Sequence, residues 1–216
     1  MMKKKENLFL GFSSLVYSVT LLFVLISNYT NRTVDKWRFF YAFTQQSNLL
    51  VLIWLILFGV SVFKFPKLNE KIRNKTLMTS LTVYISITYF IVALVLDPIY
   101  TGKFNPLLSS SELWLHNLTP IFMWIMFFKV KGTSTIDIKK ALLSLIYPLA
   151  YVGLNLILGY TVTYDNGDMA FAYDFINPTG YSNVFIFLLV VIGLLIVFSL
   201  FTVGLTKFKL YIDEIE

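Results

Sequence analysis

The chain alternates between long apolar runs and short polar segments. A helix needs about 20 apolar residues to cross a hydrocarbon core of roughly 30 Å. Six runs approach or reach that length: Leu8–Asn28, Phe39–Phe63, Leu77–Leu96, Leu113–Phe128, Ala141–Tyr160 and Ser182–Thr206. None of them contains Asp, Glu, Lys or Arg. Backbone polar groups in lipid must be satisfied within the segment, so runs of this length predict helices. The strands of a membrane barrel would be about ten residues long with alternating polarity, which the runs do not show. The first run is too long for a signal-peptide core and has no A-x-A-like cleavage site, so it predicts a retained helix. The pattern predicts an all-α, polytopic membrane bundle of six transmembrane helices in one domain, residues 1–216.

Charge adds orientation. An even number of helices puts both termini on one side. That side would hold Lys3, Lys4, Lys5, Lys64, Lys67, Lys71, Arg73, Lys75, Lys129, Lys131, Lys139, Lys140, Lys207 and Lys209. The opposite side would hold only Arg32, Lys36, Arg38 and Lys103. The positive-inside rule then predicts both termini in the cytoplasm. The net charge of +6 is on this view a topology signal with some attraction to anionic lipid, and no nucleic-acid motif accompanies it. Composition agrees: 57% of residues are hydrophobic and 14% charged, against about 25% charged in a soluble domain. The absence of cysteine excludes disulfides, thiol catalysis and Cys-zinc sites. No metal site or cofactor is expected. Asp165, Asp168 and Asp174 in the last outer loop do not have EF-hand spacing.

Polar side chains inside the runs are where chemistry is expected, because such groups face protein or water rather than lipid. The second run opens with Phe43-Thr44-Gln45-Gln46-Ser47-Asn48. Thr44, Ser47 and Asn48 share a helix face. The fourth run opens with Trp114-Leu115-His116-Asn117, and His116 is the single histidine of the chain. At 1.5 Å per residue, Thr44 lies roughly 8 Å and His116 roughly 5 Å below the same interface. A hydroxyl beside an imidazole is the minimal unit of nucleophilic catalysis, with Thr44 as nucleophile and His116 as base. Asn48, Asn117, Gln45 and Trp114 are candidate donors to an oxyanion. Asp97 and Glu112 are candidates to orient the imidazole. Ser47 and the stripe Tyr147, Tyr151 and Asn155 are candidate pocket lining. The bland alternative for all these groups is hydrogen-bonded contact between helices.

The same segments resemble a known family. Phe43-Thr44-Gln45-Gln46-Ser47-Asn48-Leu49-Leu50 resembles the F-T-x-Q-S-N-L-L segment of the bacterial branch of the androgen-induced-gene (FAR-type) family of six-helix membrane proteins. Leu115-His116 followed by Pro120 is similar to that branch's L-H-x-x-x-P segment. Tyr147-Pro148-Leu149-Ala150-Tyr151 resembles its Y-P-x-x-Y helix. Tyr173-Asp174-Phe175-Ile176-Asn177-Pro178, then Gly180-Tyr181, resembles its outer loop. Asp174 stands where that branch often has proline, and Leu158 precedes Gly159 where it often has arginine. Animal members are threonine hydrolases of fatty acid esters of hydroxy fatty acids. The resemblance implies that the threonine and histidine of that chemistry fall on Thr44 and His116, and it implies a bacterial plasma membrane as the location.

The expected function is an intramembrane lipid-ester hydrolase, with the bilayer as its surroundings and a lipid or acyl ester as substrate. The alternatives are a non-catalytic lipid-binding protein and a small-molecule transporter. Ion-coupled transport usually places charged side chains inside the membrane, and the six runs have none.

Overall fold

The computed structural model describes residues 2–33, 36–98, 113–133, 136–164 and 167–215. Among them the chain is helical apart from connecting segments, with one isolated antiparallel bridge between Thr163 and Met169. Six long helical segments correspond to the six apolar runs: α1 (Met2–Thr30), α2 (Phe43–Lys64), α3 (Lys75–Ile91), α4 (Thr119–Lys129), α5 (Ile146–Thr161) and α6 (Val184–Ile215). Five helices are long and apolar enough to cross a membrane: Lys5–Thr30, Phe43–Lys64, Lys75–Leu96, Ile138–Thr161 and Val184–Glu214. That makes the chain a multi-pass membrane protein by the length and composition of its helices. The fourth run is the short one. It begins as a π-helical turn, Leu113–Leu118, continues as α4, and follows residues that lie outside the described set.

The structure departs from the expected boundaries in informative places. The second run is not one helix. A short helix, Arg38–Tyr41, ends at Ala42, whose extended backbone (ψ 134°) restarts the chain as α2 at Phe43. The third run ends in a π-helical turn, Val92–Leu96. The sixth helix continues nine residues past the expected end at Thr206, to Ile215.

Packing places α2, α3 and α4 at the centre. Phe58, Met78, Val83, Ile85, Met123 and Phe127 are all buried in one cluster. Helix α1 approaches α2 through glycines: a Cβ at Gly59 would stand 2.5 Å from the Leu15 side chain and 2.9 Å from the Gly11 carbonyl. With no hydrophobic drive between helices in lipid, such close backbone approach is a main source of association. The indole N–H of Trp124 donates to Ser86 Oγ at 2.7 Å, tying α4 to α3. The indole N–H of Trp54 donates to the Ile72 carbonyl at 3.0 Å. At the far end Lys209 is buried and donates to the Phe128 and Val130 carbonyls while pairing with Asp213. This accounts for the extra length of α6: its last turns clasp the end of α4. Phe9, Val19, Phe23, Phe185 and Leu200 are exposed, and this apolar outer surface needs lipid rather than water around it.

Candidate functional site

The break at Ala42 builds the site. It makes Thr44 the second residue of α2, where backbone N–H groups point out of the helix without intrahelical acceptors. The Phe43 N–H donates to the Tyr151 hydroxyl at 3.2 Å, and the Thr44 N–H to the Tyr173 hydroxyl at 3.4 Å. Among the described residues no acceptor meets the Gln45 N–H. The positive end of the helix dipole therefore lies at Thr44.

His116 comes from the π-helical turn ahead of α4. Single π turns cluster at functional sites because the extra residue re-aims a side chain. Here the turn brings His116 Nε2 to 3.3 Å from Thr44 Oγ1. The Tyr173 hydroxyl lies 3.3 Å from the same Oγ1. Thr44 itself is buried, 7% exposed. Burial pushes the Tyr173 phenol pKa upward, and hydrogen bonds with Thr44 offset only part of that. Tyr173 is thus a neutral hydroxyl that can both accept from the Thr44 N–H and donate.

Two cavities meet at this point, sharing Thr44, Leu96 and Tyr173 as walls. One is apolar, about 90 Å³, running between Phe43, Ile91, Leu149, Val152, Leu195 and Phe198. The other is polar, about 270 Å³, and its walls include Asn28, Arg32, Arg38, Gln45 and His116. Gln45 Oε1 is buried with no partner among the described residues. The threonine hydroxyl sits on the seam between a greasy chamber and a polar one.

The segment after α5 closes the polar side. Gly167 (φ 87°) supplies the left-handed residue of a tight turn, a conformation that costs glycine little. The chain then returns past α5, where Phe171 packs on Gly159 and the Ala172 N–H donates to Asn155 Oδ1 at 3.0 Å. Tyr173 follows directly. A Cβ at Gly159 would stand 2.2 Å from the Phe171 ring. Gly159→Ala is therefore expected to lower the unfolding free energy by about 1–3 kcal/mol through overpacking, read as a drop in thermal midpoint.

The other expected site residues divide. Gln45 lines the polar cavity and Tyr151 the apolar one. Asn48 is a correction. Both described bonds of its amide nitrogen are taken, to the Thr44 carbonyl at 2.8 Å and the Leu115 carbonyl at 3.2 Å, so it fastens α2 to the π turn instead of facing an oxyanion. Ser47, Tyr147 and Asn155 are corrections too, since none lines either cavity. The Ser47 hydroxyl bonds Thr88 Oγ1 at 2.7 Å, Tyr147 donates to Gln46 Oε1, and Asn155 holds Ala172. Asn117 and Trp114 also stand outside both cavities, and the Trp114 ring packs near Tyr17. Asp97 is buried, directly after the π turn that ends the third run. Glu112 lies outside the described residues. Among the described residues no three His, Cys, Asp or Glu side chains gather as a metal site requires.

Tyr173, Arg32 and Arg38 were not singled out as site residues in the sequence. For Tyr173 the available signal was an aromatic-rich loop too apolar to be a free tether. For the arginines it was their position on the side where basic residues are scarce. No family model, curated protein or solved structure matches this chain.

Proposed function

We propose that this protein is a lipid-ester hydrolase of the membrane, with Thr44 as nucleophile and His116 as general base. The observation that carries the proposal is the placing of Thr44 Oγ1. It lies 3.3 Å from an imidazole nitrogen and on the seam between an apolar and a polar cavity. An acyl chain occupies the first cavity and puts its ester carbonyl at the seam. Thr44 Oγ1 attacks the carbonyl carbon and its proton passes to His116 Nε2. The negative charge that develops on the carbonyl oxygen is met by the Gln45 N–H at the helix start and by the Tyr173 hydroxyl. The carbonyl–oxygen bond to the alcohol then breaks, and His116 returns the proton to the departing alkoxide. Water enters from the polar cavity and its oxygen attacks the acyl carbon as its proton passes to His116 Nε2; the bond between that carbon and Thr44 Oγ1 then breaks, and His116 returns the proton to Oγ1 as the acid leaves.

The finer membrane placement belongs to the same proposal. The fourth run completes six spans, with both termini on the cytoplasmic side of a cell membrane. Supporting this, Lys64, Lys75, Lys129 and Lys209 lie at helix ends away from His116. The membership suggested by the motif resemblance is likewise a proposal. Its support is that all four motifs contribute to one place: Thr44, His116, Tyr151 and Tyr173 meet around the two cavities. Fatty acid esters of hydroxy fatty acids are then the substrate to try first.

The test is turnover. Purified wild type in phospholipid nanodiscs should release acid from a long-chain ester, and Thr44→Ala should not. A wild type that binds the ester without turnover would instead favour a lipid-binding protein.

A further inference from the structure

The apolar cavity is closed on one side and open on the other. Toward α2 and α3 its wall is buried, at Phe43, Ile87, Ile91 and Val92. Toward α5 and α6 it is not. Leu149 lines the cavity while 42% exposed, and Val152, Val191, Leu194 and Leu195 are only half-buried. The polar and aromatic contacts of these two helices go elsewhere: Tyr147 to Gln46, Tyr151 to Phe43, Phe201 to Phe90 and Lys209 to the end of α4. Among the described residues no hydrogen bond or ring contact joins α5 to α6. Helix α5 is also interrupted at the edge of this face. A 3-10 turn, Leu143–Leu145, precedes it, and Pro148 has no N–H to offer the Ser144 carbonyl. Breaks of this kind are where helices bend, so α5 can yield beside the opening.

Depth tells what lies outside the opening. At 1.5 Å per residue, Leu149 is roughly 18 Å from the end of α5 at Thr161, and Leu195 roughly 16 Å from the start of α6 at Val184. Those two ends flank the segment that carries Tyr173, so the opening sits at one level, near the middle of a hydrocarbon core of roughly 30 Å. There is no water at that depth. From Leu96, which the two cavities share, to Ile87 the apolar cavity runs roughly 13 Å along α3. That is close to the hydrocarbon depth of one leaflet, about half the core. We infer that the gap between α5 and α6 is a side portal, through which the acyl chain of a bilayer lipid enters the cavity directly from the membrane. The occupant is a hydrocarbon chain because the cavity wall is continuous with the lipid-facing surface at Leu149, and the side chains around the opening are all aliphatic. Entry at this level, tail first, leaves the ester to settle at Thr44. This deepens the hydrolase reading, on which its catalytic use rests, by naming the source of substrate: a lipid already dissolved in the bilayer, not an amphiphile captured from water through the polar cavity.

Photolabelling tests this without turnover. The protein is placed in phosphatidylcholine nanodiscs in which a small share of the lipid carries a diazirine near the end of one chain. Irradiation and mass mapping should give adducts on Phe198 and Ile91, which line the cavity and are buried from the surrounding lipid, as well as on the exposed Phe23. Leu149→Trp and Leu195→Trp each crowd the portal. Each should lower the inner adducts, relative to Phe23, by at least about tenfold, an effect within the range of overpacking. Leu189→Trp, on the exposed face of α6 and away from the cavity, should leave the ratio unchanged. So should Thr44→Ala, which separates the portal from the nucleophile. Wild-type adducts confined to exposed residues overturn the inference, and that result needs no variant to fold. Inner adducts that persist at the wild-type ratio in both crowded variants overturn it as well, as does an equal loss in Leu189→Trp. Labelling of Phe198 by a diazirine-bearing decanoate added from water, with none from the bilayer lipid, would assign entry to the polar cavity instead.

Discussion

His116→Ala is expected to lower ester turnover by about 10²- to 10⁴-fold, the usual contribution of a positioned general base. Thr44 Oγ1 is a weak nucleophile unless its proton has somewhere to go as the bond to carbon forms. His116 Nε2, 3.3 Å away, is the acceptor in place. The Tyr173 hydroxyl is the other polar group at that distance, and a neutral phenol is a poor base. Groups that act as one unit do not add. The double variant Thr44→Ala with His116→Ala should therefore be no slower than Thr44→Ala alone. Steady-state turnover by the four forms, each checked for an unchanged thermal midpoint, tests this. Additive losses would mean that the two residues act separately. Thr44→Ser should keep measurable turnover, because the oxygen and its contacts with His116 and Tyr173 survive loss of the methyl.

Tyr173→Phe should lower kcat by about 10²- to 10³-fold, the cost of removing one oxyanion donor, with little change in KM. The present contacts explain the direction. The Thr44 N–H donates to the Tyr173 oxygen, so the phenol proton remains available for Thr44 Oγ1. When Oγ1 becomes an ester oxygen, that proton is released to the new oxyanion beside it. Burial raises the phenol pKa, so the proton is retained across neutral and moderately alkaline pH. Phenylalanine keeps the ring contact with Phe175 and removes only the hydroxyl. A rise in KM with kcat preserved would assign Tyr173 to substrate binding instead. Wild-type kinetics would leave it a structural cap.

The apolar runs announced the helices because lipid-spanning segments carry their signal locally, in length and absence of charge. The break at Ala42 was not legible. The five residues Phe39–Phe43 around the break are apolar and include no glycine or proline to mark it, and the interruption depends on Tyr151 and Tyr173 accepting the freed N–H groups from 108 and 129 residues away. Thr44 and His116 stood out because each is polar where lipid would exclude it. The same criterion overreached for Ser47, Tyr147 and Asn155. Polar groups inside a bundle can satisfy one another, and these do, through Thr88, Gln46 and Ala172. Periodicity tells which side chains turn inward; it does not tell whether they meet a partner or a cavity. Arg32 and Arg38 entered the topology count as ordinary loop charges. Only the fold of the segment after α5 puts them on the wall of a chamber beside Thr44.

The most direct measurement is the site of covalent capture. A long-chain alkyl fluorophosphonate reacts at hydroxyls activated by a neighbouring base, and it carries the chain that the apolar cavity accepts. Mass mapping of the labelled protein should place one phosphonyl group on Thr44, with labelling lost in Thr44→Ala and strongly slowed in His116→Ala. Equal labelling of wild type and Thr44→Ala, or an adduct mapped to a different hydroxyl, would contradict the assignment of Thr44 as the nucleophile.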